Sequence, residues 1–177
     1  MKCHIIETLS RSPHNRSEVE SWYSQHGAAL LLFGNALAGD YGRAQDALHQ
    51  VFLRLLEHRN LSPIADIRTY LFAALRNTII NDDRRRGRAV PMELNDESWF
   101  ESPNRDYVEE LSVRRALAEL PQDQREVTVM HVWGGLTFAQ VAQVLGINAN
   151  TAAARYRYAL ARLRDSLSEK RSVEAHE

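Results

Sequence analysis

Four arginines, Arg155, Arg157, Arg162 and Arg164, fall within ten residues near the C-terminal end of the chain, with no acid between them. At 3.6 residues per turn, Ala152, Tyr156, Ala159, Leu160 and Leu163 form one apolar stripe. Arg155 and Arg162 flank one side of it, and Arg157 and Arg164 flank the other. Asn150, Thr151, Ala154 and Tyr158 lie between the two arms. The chemistry open to this set is noncovalent. Guanidinium groups neutralise phosphates, and a floor of short side chains lets a helix approach base edges in a DNA groove. The competing reading is a solvated basic face on a bundle helix, which the arginines alone do not exclude. The residues upstream favour DNA. In "LTFAQVAQVLGINANTAAARYRYALARLR" (136–164), Ala142 stands four residues before Gly146, where a small side chain lets two helices cross closely. Gly146 suits a left-handed turn, and Ile147 closes the small core. Thr137 and Asn148 are placed to cap the two helices. Together they read as a helix-turn-helix.

Covalent catalysis has no comparable support. The seven histidines are scattered without metal-ligand spacing, and no glycine-rich phosphate loop occurs. Neither an enzyme activity nor a cofactor is expected. With 22 basic and 23 acidic residues, bulk charge predicts no polyanion partner. The local balance differs. Residues 67–90 hold six Arg against two Asp, whereas 91–112 hold seven acids against one Arg. The single cysteine, Cys3, excludes an internal disulfide framework and fits a reducing cytosol. The start "MKCHIIETLS" lacks a signal-peptide pattern, and the apolar run "AALLLFGNALA" is far short of the ~20 residues a membrane span needs. A cytoplasmic location without membrane insertion is expected.

The elements that position these residues are helical, since no segment alternates as a strand does. Val19, Trp22, Tyr23, His26, Leu30 and Phe33 predict a helix over about 18–38. Ala44, Leu48, Val51, Phe52 and Leu55 predict a second over 42–57, and Ile67, Leu71, Ala74, Leu75 and Ile79 a third over 66–86 that finishes in "RRRGR". Pro63 interrupts between the last two. Helicity resumes near 107, and Pro121 opens a further helix that stops at Gly134–Gly135. The expected fold is all-α: two small helical domains, 18–88 and 107–168, held apart by an acidic linker at 89–106, whose charges either keep it extended by self-repulsion or mimic nucleic acid. A tail precedes them at 1–17 and another follows at 169–177.

"GDYGRAQDALHQVFLRLLEHR" with "DIRTYLFAALRNTIINDDRRRGR" resembles the second domain of bacterial sigma factors, and residues 114–164 resemble their fourth. With only these two domains, the chain is similar to the extracytoplasmic-function (ECF) subfamily of the sigma-70 family. The resemblance implies a promoter-specificity subunit that binds core RNA polymerase, melts a −10-type element and reads a −35-type element. It also implies an anti-sigma factor as partner. Asp46 matches an acid of the polymerase-docking face, with Gln45, Gln50 and Leu53 beside it. Gln45 and Gln50 stand where the family usually has acids, which softens docking or shifts it toward apolar contact. On the 66–86 helix, Tyr70, Arg76, Asn77, Asn81, Arg84, Arg85 and Arg86 are the candidates for opening DNA, and Asn77 matches the family's Asn following Arg. Phe72 is expected in the core. Asn60–Asp66 corresponds to a base-capturing loop. In the C-terminal domain Asn150, Thr151, Ala154, Arg155, Arg157 and Tyr158 are the −35 candidates. Thr151 and Arg155 match the family pattern there, whereas Gln140, Ala153, Ala154 and Tyr158 depart from it. The alternatives are a stand-alone helix-turn-helix regulator, which would need a dimer face, and a module that only sequesters partners.

Near-neutral net charge offers little long-range attraction to DNA. The free protein is therefore expected to bind promoter duplex weakly, and tight sequence-specific retention in a filter-binding assay without core polymerase would contradict this.

Overall fold

The computed structural model describes residues 16–57, 64–87, 113 and 115–174. Among them no strand occurs. Six helices follow one another: α1 (Arg16–Ala38), α2 (Tyr41–Glu57), α3 (Ile67–Arg86), α4 (Gln122–Val132), α5 (Phe138–Leu145) and α6 (Ala149–Glu174). A shorter helical stretch covers 115–119. The predicted linker, the restart of helicity near 107 and most of the loop Asn60–Asp66 lie outside the described residues. Two limits shift. Helix α1 begins at Arg16, inside the expected tail. Helix α6 continues to Glu174 through the expected C-terminal tail, because nothing between Ala149 and Glu174 is Gly or Pro and no residue stops the helix.

Each turn is built from local chemistry. Asp40 accepts the backbone N–H of Arg43 at 2.7 Å and starts α2. Arg43 then reaches across to Asp83, and at 3.6 Å to Asp82, tying the start of α2 to the end of α3. Asp66, in extended conformation, caps α3 by accepting the Thr69 N–H at 3.1 Å and the Thr69 hydroxyl at 2.6 Å. Thr137 and Gln140 form a reciprocal capping box on α5. Gly146 ends α5 at φ 68°, a conformation that costs other residues about 1–2 kcal/mol. Asn148 accepts the Thr151 N–H at 2.7 Å and caps α6. The caps expected at Thr137, Gly146 and Asn148 are all present.

The core begins with α1. From Leu32 to Ala38 every residue is buried, so this half-helix is covered on all sides. Helices α2 and α3 cover two sides and α4 the third. At Gly34 a Cβ would lie 3.2 Å from that of Ala44 and 3.4 Å from Leu75, so the three N-terminal helices meet there without a side chain between them. Phe72 is buried, as expected, with its ring 5.3 Å from that of Phe33. One apolar cluster runs from Val19 and Leu30 through Val51 and Leu75 to Val127, Met130, Val141 and Ala152. The two helical groups are thus not held apart: α4 packs on α1, and α5 packs on α3. The all-round apolar surface of α1 requires that cover.

Buried Arg125 fastens the junction. Its guanidinium donates to the carbonyls of Leu120 at 2.8 Å and Ala118 at 3.2 Å, and to Ala36 of α1 at 3.1 Å. Burial lowers its pKa, opposed by the charge of Glu126. Leu160, placed inward by periodicity, is 42% exposed at the edge of its stripe, and Tyr23 lies mostly outside the core with one edge against Phe52.

The Thr69 hydroxyl, and more weakly Gln140, hold the Asp66 carboxyl below its ordinary pKa against a partial cost of burial. The stability this carboxylate contributes is therefore complete above the unfolded aspartate pKa and is lost as pH falls through the lower folded value. Asp66→Ala is expected to cost about 1 kcal/mol in urea unfolding at neutral pH. The deficit relative to wild type should shrink in acid, and an unchanged midpoint would remove Asp66 as the cap.

Candidate nucleic-acid and polymerase interfaces

Helix α6 presents a face to solvent. Asn150, Arg157 and Tyr158 are exposed, Tyr158 by 66%, while Thr151 and Ala154 are half-buried beside them. Ala152 and Ala159 are fully buried beneath. Tyr156 seats the helix by packing edge-on to His131 at 4.8 Å, and His131 stacks on Phe138 at 4.3 Å. His131 Nδ1–H donates to the Leu136 carbonyl at 2.7 Å, which fixes the ring and the turn between α4 and α5. Five of the six expected residues share this face. Arg155 stands at its edge, 31% exposed at its side chain, with Nε 3.1 Å from Asp123 in the first turn of α4.

Helix α3 is two-sided. Tyr70, Asn77, Asn81 and Arg84 recur within one narrow stripe at helical spacing, with Arg85 next to it. Asn77, Asn81, Arg84 and Arg85 are exposed, and Tyr70 is half-buried with its ring against the core. Arg86 is also exposed but pairs with Asp82 at 3.0 Å. Arg76 is not on this stripe. It belongs to a second ridge, Arg68–Phe72–Arg76 at four-residue steps, which faces the C-terminal helices. Arg76 Nε lies 3.2 Å from the buried carboxylate of Glu126, which also accepts Gln122 at 2.9 Å. Phe72 abuts Gly134, where an added Cβ would come within 2.7 Å of its ring. Arg68 donates to the Gly135 carbonyl at 3.1 Å, and Gln140 to Asp66 at 2.7 Å. Burial, and secondarily the charge of Arg68, lowers the pKa of His26 on α1.

On α2, Gln45, Asp46, Gln50 and Leu53 are all exposed on the side away from the buried Leu48, Phe52 and Leu55. Leu53 is 55% exposed, and Leu56, which sequence reasoning left out, is 49% exposed next to it. The signal for Leu56 was present, since it stands off the Leu48–Phe52–Leu55 stripe. Glu126 and Asp123 carried no such signal. Among the described residues no group of side chains could hold a metal ion, and no helix is long and apolar enough to cross a membrane.

A capped helix-turn-helix with an arginine-edged second helix defines a DNA-binding class of protein. Residues 110–163 match the family described as sigma-70, region 4. Over 154 residues the chain is 31% identical to the ECF RNA polymerase sigma factor SigL of Mycobacterium tuberculosis, covering 83% of this chain and 87% of that protein. It is 30% identical over 141 residues to the ECF RNA polymerase sigma factor EcfG of Rhodopseudomonas palustris, covering 76% and 77%. The fold is similar to that of the sigma factor RpoE of Bartonella quintana, solved in complex with the anti-sigma factor NepR. There the TM-score is 0.70 at 20% identity over 86% of this chain and 98% of that one. CnrH, solved with the cytosolic domain of CnrY, gives a TM-score of 0.65 at 20% identity over 93% and 96%. The chain belongs to the ECF RNA polymerase sigma factors, the sigma-70 proteins that direct transcription initiation.

Arg76 and Glu126 are partly and almost wholly buried, respectively. Removing one partner strands the other, so a double-mutant cycle of Arg76→Gln and Glu126→Gln in urea unfolding should return a coupling of about 1–3 kcal/mol. Additive single effects would show that the pair does not join α3 to α4.

Proposed function

We propose that the chain binds core RNA polymerase through the exposed face of α2, opens a −10-type element with α3 and reads a −35-type element with α6. The observation that carries this reading is the solvent-facing stripe of Asn77, Asn81 and Arg84 on α3, continued inward by the half-buried ring of Tyr70. Strand opening needs no covalent step. A flipped base costs a few kcal/mol to unstack and unpair. An aromatic face returns ~1–3 kcal/mol, and arginines hold the strand's phosphates. Arg76 joins this surface only when Glu126 releases it. On α6, Asn150, Thr151, Ala154 and Tyr158 form the groove floor, with Arg155 and Arg157 at its sides. The chain itself performs no catalysis and holds no cofactor, and it works in the cytoplasm beside the polymerase.

The two DNA elements lie about 25 base pairs apart, or roughly 85 Å along a duplex. The packed arrangement of α3 against α4 and α5 places both faces on one small body, so the reading requires the groups to part. The covalent chain from Gly87 to Val113 reaches at most about 90 Å, which suffices. The α2 face has Gln at 45 and 50 and exposed leucines at 53 and 56, which favours apolar docking onto the polymerase over a chiefly ionic contact. Because the similar RpoE structure holds an anti-sigma factor, one is proposed as a partner here too.

Two substitutions on α2 test the assignment. Leu53→Asp should abolish co-purification with core polymerase and run-off transcription. Asp46→Arg should reduce both less, since the contact is mainly apolar. Unimpaired co-purification by both variants would move docking away from α2 and favour a stand-alone regulator.

A further inference from the structure

Among the described residues, Arg155 is the one of Arg155, Arg157, Arg162 and Arg164 whose guanidinium meets a carboxylate. The partner is Asp123, in the turn that opens α4 after Pro121. Both of its oxygens are used. One accepts the backbone N–H of Gln124 at 3.0 Å, and the other stands 3.1 Å from Arg155 Nε. The carboxylate is therefore anchored to the helix start and not free to follow the arginine. Its contact is at Nε, which leaves the N–H donors of the two terminal nitrogens for another acceptor.

We propose that Asp123 is a specificity-determining positioning residue that commits Arg155 to a base edge instead of a phosphate. This rests on the reading of α6 as the groove helix. A guanidinium already balanced by a carboxylate gains little from a phosphate, because its charge is spent and the acid repels the strand. Its N–H donors keep their full directional value, and an arginine forked onto guanine O6 and N7 needs direction more than charge. Arginine also gives up much rotamer freedom when it is fixed. Asp123 imposes part of that order before DNA arrives, which is how preorganisation sharpens recognition. The acid acts a second time by penalising DNA that offers Arg155 no acceptor in the groove, since its charge then faces backbone without return. Arg157, without such a partner, remains a phosphate contact.

The test uses holoenzyme reconstituted with core polymerase on a promoter library randomised across the upstream element. It compares wild type, Asp123→Asn, Asp123→Glu and Arg155→Ala. Asp123→Asn keeps the size of the side chain and removes its charge. It should lower the preference for guanine at one position about tenfold, bind non-promoter DNA more tightly and steepen the salt dependence of that binding by about one ion. Asp123→Glu should restore part of the preference. Arg155→Ala should abolish it at the same position. Asp123→Asn lowering all promoters alike with preferences intact, alongside a lower melting temperature, would reduce Asp123 to a helix-start residue and overturn the proposal. Arg155→Ala changing only the salt slope would make Arg155 a phosphate contact, overturning the proposal while sparing the groove reading of α6. Arg155→Ala changing neither would remove α6 from the groove, and the proposal with it.

Discussion

The ring of Phe72 and the Met130 carbonyl together fill the space that a side chain at position 134 would need, and the contacts between α3 and the C-terminal helices are arranged around that fit. Because α3 presses on the turn after α4, the polar groups on either side of Phe72 are forced to find partners across the same seam. Arg68 takes the Gly135 carbonyl, Arg76 the Glu126 carboxylate, and Asp66 the Gln140 amide. Glu126 is too deeply buried to remain charged alone at acceptable cost. The apolar contact and the ion pair are therefore mutually dependent. Without the close approach Glu126 would face water, and without Arg76 the close approach would trap a bare charge.

This makes α3 a helix with two employers. Its outward stripe is open to solvent, while its other ridge is committed to the C-terminal helices. Separating the groups would uncover Phe72, worth roughly 1.5–3 kcal/mol of apolar burial, together with parts of α1 and the buried Glu126. A partner that favours the separated arrangement must supply that energy as differential affinity. Exposed Leu53 and Leu56 on α2 lie on the side opposite the buried stripe of that helix, so a partner bound there does not itself compete with the seam. On the proposed reading docking and separation are distinct steps, because Arg76 is held by Glu126 until the groups part.

What could be read from the sequence was what depends on near neighbours. The Thr137 cap, the left-handed Gly146 and the Asn148 cap each involve residues within four positions of one another, and each was legible, although the return bond from Gln140 was not read. So was the α6 face, because a period of 3.6 sorts residues into inward and outward sets whatever covers them. The seam was not legible, since its partners lie 50, 67 and 74 residues apart. Periodicity marked Phe72 as inward without saying what lay over it, and it left Arg76 in one group with Asn77, although a single step along a helix turns a side chain by about 100°. Arg125 carried no signal in the sequence and is a buried tie between α1 and the chain before α4. The position of Leu160 failed for a milder reason. At the margin of a stripe, exposure is decided by how far the neighbouring helix extends.

Local charge matching also accounts for a DNA-directed protein with a net charge of −1. Several arginines of α3 and α6 are held by acids: Arg76 by Glu126, Arg86 by Asp82 and Arg155 by Asp123. Each pairing weakens long-range attraction to a polyanion. Free arginines in the same places would raise affinity for any duplex equally, because phosphates carry no sequence. Pairing sacrifices that uniform attraction. On the proposed reading the remaining affinity depends on correct seating of α3 and α6, which needs another body to hold the two groups at the spacing of the two elements. A near-neutral chain of this construction is thus poorly suited to act on DNA alone and well suited to act as the recognition part of a polymerase.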